Sequence, residues 1–291
     1  MGVSEVPKVF TPQTPIWCPG CGDFGVLAAL KKALNDLKIP PHETILVGGI
    51  GCSGHIHNDL LVYGYHSLHG RLLPTAIGIK LANPRLTVIA AGGDGDGYAI
   101  GGNHFLHALR RNPSIVYLVM NNGTYGLTKG QPSPTAQIGF EGTKEIPFEP
   151  ILTALSIRST TFVARGFSGN QVQLQFLIKE AIQHANAGKG FAFLDVLSPC
   201  VTYNDTYAEW RKSTVDMNAD KSFDPTNRAL VFERVLNTLQ EGKIPTGLLY
   251  KGESPSFESM QLKDPASPIA TQDLTPAGKI EEFKKLIARY R

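Results

Sequence analysis

The chain has 291 residues, 42% hydrophobic and 18% charged, a globular composition that excludes a disordered or collagen-like polypeptide. Lys plus Arg total 28 against 25 Asp plus Glu, a formal charge of +3, and no basic block interleaved with aromatics occurs, so a nucleic-acid role has no support. Four cysteines are too few for a secreted disulfide framework in a chain this long and point instead to metal or redox chemistry.

The opening MGVSEVPKVF has no apolar signal core, and Val6 stands where a myristoylation signal needs Ser or Thr. No apolar run approaches the roughly 18 residues of a membrane span, so a cytoplasmic location is expected. Leu27, Leu30, Leu34 and Leu37 then repeat at helix spacing. Apolar runs of four to seven residues at Thr44–Val47, Leu86–Ala91, Ile115–Met120, Thr160–Ala164 and Phe191–Leu197 suit buried strands. Between the last two, Val172, Phe176, Leu177, Ala181 and Ile182 follow the cap-like Ser168-Gly169-Asn170. The aperiodic, Gly- and Pro-rich stretch from Thr128 to Pro150 is expected to be a long ordered loop of the kind kept for function. After Cys200 the texture becomes polar. One helix is expected to start at the Asp224-Pro225 cap and bury Leu230, Val231, Val235 and Leu239; a terminal helix aligns Ile280, Phe283, Ile287 and Tyr290. The class is α/β, a mostly parallel sheet covered by helices, with residues 1–200 as the binding domain and 201–291 as an extension packing on that domain or on a partner.

Four special segments follow directly on strands: GGIGCSG at 48–54, GGDGDG at 92–97, NNGTYG at 121–126 and SPC at 198–200. Ligands of an open parallel sheet bind beyond the carboxyl ends of its strands, so all four should face one site. Glycines let backbone amides approach a phosphate; Asp94 supplies a hard carboxylate oxygen and Asn122, 28 residues later, a neutral one. This is Mg²⁺ chemistry, with room for a diphosphate. A helix beginning near Tyr98 would aim its amino end there, and Asp94 is expected to be an exposed ligand whose loss would spare the fold. The bland alternative is that both segments are turns.

Cys18-Pro-Gly-Cys21 is a chelating hairpin whose missing ligands are available only from Cys52 and Cys200. Four thiolates suit a [4Fe-4S] cluster or a structural zinc; beside a diphosphate cofactor a cluster has an electronic use and a zinc has none. Alternatively Cys52 and Cys200 are ordinary buried thiols. Of the six histidines between 55 and 107, His66, His104 and His107 read as local hydrogen-bonding residues. His69 and Arg71 sit where a cation could meet an anionic cofactor or substrate carboxylate, and His55 lies three residues past Cys52. Gly49-x-Gly51-x-x-Gly54 meets the lone dinucleotide fingerprint, making a nicotinamide-dependent oxidoreductase the runner-up, but position 69 is His where an acid is wanted. A non-enzymatic iron-sulfur carrier is the third reading and leaves Asp94 and Asn122 idle.

GDG, 25 residues, then NN resembles the thiamine diphosphate signature. The longer strings GDGDGYAIGGNHFLHALRRN, NNGTYGLTKGQPSPT, GCSG and HGRLLPTAIGIKLANP resemble the β subunit of 2-oxoacid:ferredoxin oxidoreductases, a likeness running from about Pro15 to Cys200. That resemblance implies the diphosphate-binding domain of the thiamine diphosphate fold. Mg²⁺ would be held by Asp94, Asn122 and the Thr124 carbonyl. The cofactor would lie on Ile50, Gly51, Cys52, Ser53, His69, Gly95, Asp96, Gly126 and Leu127, and a [4Fe-4S] cluster on Cys18, Cys21, Cys52 and Cys200. It implies oxidative decarboxylation of a 2-oxoacid with coenzyme A, reversible as CO₂ fixation, with 2-oxoglutarate as first choice and pyruvate second. Candidate catalytic residues are His69, Arg71 and His55, although some members carry Lys or Arg at the last position. The activating Glu would come from a larger α subunit, because no second domain fits in the 91 residues after Cys200. Two heterodimers would pair about a twofold axis, and an external ferredoxin would take the electrons.

Overall fold

The computed structural model describes residues 14–264, 268–272 and 279–289; the readings made at residues 1–10 and at Tyr290 lie outside the described residues. In chain order come α1 (Asp23–Asp36), β1 (Thr44–Gly48), β2 (Tyr63–His66), α2 (Leu72–Ala82), β3 (Thr87–Gly93), α3 (Gly102–Arg111) and β4 (Val116–Asn121). A short hairpin of β5 (Thr124–Tyr125) and β6 (Gln131–Pro132) leads to α4 (Pro150–Ser156), β7 (Phe162–Phe167), α5 (Gln171–Asn186) and β8 (Ala192–Leu197). Beyond Cys200 follow α6 (Tyr207–Ser213), β9 (Thr214–Asp216), α7 (Arg228–Gln240), β10 (Ile244–Lys251), α8 (Phe257–Gln261) and α9 (Ile280–Ala288).

One eight-stranded sheet has the order β2-β1-β3-β4-β8-β7-β10-β9, parallel except where β10 runs against β7. All five apolar runs read from the sequence lie in it. Their continuity has a simple cause, which is burial on both faces. Leu46, Ile89, Val116 and Leu118 pack beneath Leu27, Leu30, Leu177 and Ile178 of α1 and α5. Their neighbours Val47, Val88, Tyr117 and Val119 point the other way, onto Leu72, Leu73, Phe105 and Leu109 of α2 and α3. Alternation with period two thus feeds two cores from one set of strands. No helix among the described residues is long and apolar enough to cross a membrane.

Several expectations need correction. α5 buries Leu174, Leu177, Ile178, Ala181 and Ile182, whereas Val172 and Phe176 face solvent. α7 starts at the Asn227 cap, whose side chain accepts from the Leu230 amide at 3.2 Å; Asp224 instead closes a turn on the Thr226 amide. Only Val231 and Val235 of α7 are fully buried. The expected terminal helix is present as α9, with Ile280, Phe283 and Ile287 exposed. The polar tail also contains strands, since β10 extends the main sheet. Pro245 and Gly247, the latter at φ +108°, and a register shift between Leu248 and Tyr250 hide that strand from any alternation pattern.

A buried ion network ties α4 to the sheet. Arg165 donates to Glu149 at 2.7 Å and to Asp195 at 2.8 Å, and Asp195 also accepts from Tyr98 and Asn121. Burial opposes the guanidinium charge, but the two carboxylates more than offset it and hold its pKa up. Arg165→Met should therefore destabilise the chain by about 3–5 kcal/mol, because it strands a buried carboxylate; denaturant unfolding of the variant checks this.

Candidate active site

The carboxyl ends of β1, β3 and β4 open onto a cavity of about 180 Å³. Ile50, Gly51, Cys52, Ser53, His69, Asp94, Gly95, Asp96, Asn122, Thr124, Gly126 and Leu127 all line it. Gly93, Tyr125 and Thr128 line it too, and the sequence offered no signal for them beyond their place beside the motifs. The loop after β1 folds back on itself tightly. A Cβ on Gly54 would sit 1.9 Å from the Gly49 carbonyl oxygen, so only glycine fits. Likewise a Cβ on Gly95 would meet the Tyr125 ring at 2.3 Å.

Asp94 is 1% exposed, which corrects the expectation of an exposed ligand. Its Oδ2 accepts from the Gly123 amide at 3.1 Å and from the Ser133 and Thr135 hydroxyls. The long loop is thereby pinned to the end of β3. Burial pushes the Asp94 carboxyl up, against the hydrogen bonds from the Ser133 and Thr135 hydroxyls and the Gly95 amide. Asn122 Oδ1 accepts from the Thr124 amide at 3.0 Å, and its carbonyl accepts from Asn204 at 2.8 Å.

The helical turn begins at Gly95 and continues through Ile100, earlier than the expected start near Tyr98. Its first residues, Gly95 and Asp96, line the cavity, at the end of the turn where helical amides lack intrahelical partners. Asp96 is 2% exposed. Its Oδ1 accepts from the Ile50 amide at 3.1 Å, the Gly70 amide at 2.8 Å and His69 Nδ1 at 2.6 Å. The carboxylate thus clamps two loops and one imidazole, and what residue 96 can offer an anion is its backbone.

The four cysteines line a second cavity, together with Ile16, Trp17, Asp23 and Tyr203. All four are free thiols. The Cys21 amide bonds back to the Cys18 carbonyl at 3.0 Å, closing the hairpin, and Trp17 Nε1 holds the Cys52 carbonyl at 2.7 Å. Gly126 lies against two of the sulfurs: a Cβ there would make ordinary contact at 3.6 Å from Cys200 Sγ and 3.7 Å from Cys52 Sγ. Burial, then the charge of Asp23, pushes the Cys21 and Cys52 thiols up. No three His, Cys, Asp or Glu side chains among the described residues are grouped to hold one metal ion; the four cysteines line one cavity instead. Cys52, Asn122 and Gly126 belong to both cavities.

Arg71 and His55 are not among the lining residues. Arg71 pairs with His104, while His55 lies beside Asn58. His57 is buried, donates from Nδ1 to the backbone carbonyl of Gly54 at 2.8 Å and packs 4.7 Å from His66.

Residues 49–196 match the thiamine pyrophosphate enzyme C-terminal TPP-binding domain, and residues 200–263 match the family of C-terminal segments of the pyruvate ferredoxin oxidoreductase β subunit. The 2-oxoacid:ferredoxin oxidoreductase subunit β of Saccharolobus solfataricus is 42% identical over 286 residues, spanning 92% of this chain and 91% of the relative. The chain belongs to the β subunits of 2-oxoacid:ferredoxin oxidoreductases. The 2-oxoglutarate synthase subunit KorB of Methanocaldococcus jannaschii is 37% identical, covering 83% of this β subunit and 89% of its own length. Among solved structures, 2-oxoglutarate:ferredoxin oxidoreductase from Magnetococcus marinus, with 2-oxoglutarate, coenzyme A and succinyl-CoA bound, superposes with TM-score 0.82 at 34% identity over 94% of both chains. As a β subunit, this chain is part of an oxidoreductase that also has an α subunit.

Proposed function

We propose that this β subunit holds thiamine diphosphate, Mg²⁺ and a [4Fe-4S] cluster. With a larger α subunit it would convert a 2-oxoacid, coenzyme A and two oxidised ferredoxins into acyl-CoA, CO₂, a proton and two reduced ferredoxins, reversibly. The observation that carries this is the wall of Cys52, Asn122 and Gly126 common to both cavities. It sets a thiol-lined void directly against a diphosphate-type cradle, which serves electron transfer and nothing in zinc or carrier chemistry. Four thiols spread around a void also suit a cluster, whose irons each take one thiolate, better than a zinc needing its donors within about 2.3 Å of one point. The nicotinamide reading fits less well, because the glycines after β1 lead into the short turn Ser53–Asn58 and not a dinucleotide-binding helix.

Bound thiamine diphosphate supplies an electron sink at the substrate carbonyl carbon; the chain's own residues supply placement. Asp94 Oδ1, Asn122 and the Thr124 carbonyl would hold Mg²⁺, since the Gly123, Ser133 and Thr135 donors to Asp94 occupy Oδ2. Amides from Gly95 onward would neutralise the diphosphate. Asp96 accepts from His69 Nδ1 and so fixes the imidazole in the cavity wall. At about 180 Å³ the cavity is smaller than the roughly 300–1,000 Å³ of enclosing ligand pockets, and Leu127 on its rim is 58% exposed. Both facts support a site completed by the α subunit, including its activating Glu, in an assembly of two heterodimers.

The substrate is 2-oxoglutarate by preference, supported by the names of the KorB relatives and of the solved complex, with pyruvate second. Steady-state rates of the αβ complex across 2-oxoacids test this. The complex should turn over 2-oxoglutarate fastest, and this chain alone should show no turnover with cofactor, Mg²⁺, coenzyme A and ferredoxin supplied. Faster pyruvate oxidation would replace the substrate, and activity without the α subunit would end the shared-site reading.

A further inference from the structure

Asp23 is the first residue of α1 and 1% exposed, and it lines the cavity bounded by the four cysteines. Its Oδ2 accepts from Ser53 Oγ at 2.8 Å and its Oδ1 from Ser198 Oγ at 2.5 Å. Burial pushes its carboxyl up, against the Ser198 and Ser53 hydroxyls that donate to it. The three partners fall at telling places: Asp23 is two residues past Cys21, Ser53 follows Cys52, and Ser198 stands two before Cys200. One carboxylate therefore joins all three chain segments that carry the thiols. A buried anion beside four sulfurs that must become thiolates to take metal is electrostatically unfavourable. It is retained here by two hydroxyl donors and by the amino end of α1 in place of water.

We infer that Asp23 is the positioning and potential-setting residue of the cysteine site, binding its three segments together and holding the cluster's reduction potential down with a fixed negative charge. The inference rests on the proposed cluster. Hydrogen bonding, net charge and burial around the sulfurs are the protein's means of tuning such potentials, and a charge in a poorly screened interior acts strongly. A lower potential favours onward donation of the electron once the cluster has received it.

The test is a redox titration, followed by electron paramagnetic resonance, of the anaerobically purified αβ complex carrying wild-type chain, Asp23→Asn or Ser198→Ala. Asp23→Asn keeps the shape and an acceptor but removes the charge. It should retain iron and sulfide and raise the reduced-to-oxidised ratio at a fixed potential by about tenfold, equivalent to about 59 mV for a one-electron couple. Ser198→Ala keeps the charge and loses one donor, so its potential should not rise. An unchanged potential in Asp23→Asn with the cluster intact would overturn this inference alone. An equal rise in both variants would assign the effect to geometry and overturn the charge role. Wild-type complex without iron would overturn the inference together with the cluster itself.

Discussion

Replacing Cys52 with Ser is expected to remove the iron-sulfur absorbance, lower iron from about four atoms per chain and stop ferredoxin reduction, because a hydroxyl is a poor substitute for a soft thiolate. Cys52 is the cysteine common to both cavities. Its structural contribution comes from the backbone, whose carbonyl receives the Trp17 indole N–H and the His55 amide, and serine preserves both bonds. The folded complex and Mg²⁺-dependent thiamine diphosphate binding should therefore survive while electron delivery is lost. Iron analysis, visible absorbance and calorimetric cofactor titration give the three readings. Retained iron with full ferredoxin reduction would remove Cys52 from the ligand set.

Asp94→Ala is expected to abolish Mg²⁺-dependent thiamine diphosphate binding and to lower the stability of the chain as well. The Gly123 amide and the Ser133 and Thr135 hydroxyls all donate to Asp94 Oδ2 in a buried setting. Leaving a buried donor without an acceptor costs about 1–3 kcal/mol, which falls on the Gly123 amide and the Ser133 hydroxyl, whereas Thr135 keeps Asn121 Oδ1 as an acceptor. Asp94→Asn is the informative comparison. Its carbonyl oxygen can still accept from the loop, while the charge that would bind the cation is gone. Cofactor affinity should therefore fall in both variants, but the melting temperature should drop much further in Asp94→Ala. Thermal unfolding and calorimetric titration of the two side by side measure the difference. Undiminished Mg²⁺-dependent affinity in Asp94→Asn would place the cation elsewhere.

The same residue shows how far the sequence reaches. Its place after a strand and 28 residues before Asn122 was visible in one dimension, as were the five apolar runs, because strands buried on both faces leave continuous hydrophobic stretches. The α/β class and the gathering of four motifs at one sheet edge follow from that pattern and the rule for parallel sheets. Every residue that the family resemblance assigned to the diphosphate and Mg²⁺ lines the same cavity. What failed was local. β2 is a four-residue edge strand with every residue exposed, so no alternation marks it, and β10 is broken by Pro245, Gly247 and a register shift. The start of α7 went to Asp224 because Asp-Pro and Asn are both good caps, and packing chose between them.

By itself the sequence determined which residue types meet at the strand ends, since motif spacing and strand order are one-dimensional properties. Only the tertiary structure decided what each side chain does there. Asp94 proved to be buried by a loop some 40 residues downstream, with Thr135 41 residues away, and Asp96 proved to clamp His69 across 27 residues. Asp23 proved to join segments up to 175 residues apart. Burial and hydrogen-bond partnership are set by contacts between distant parts of the chain, and no local spacing encodes them.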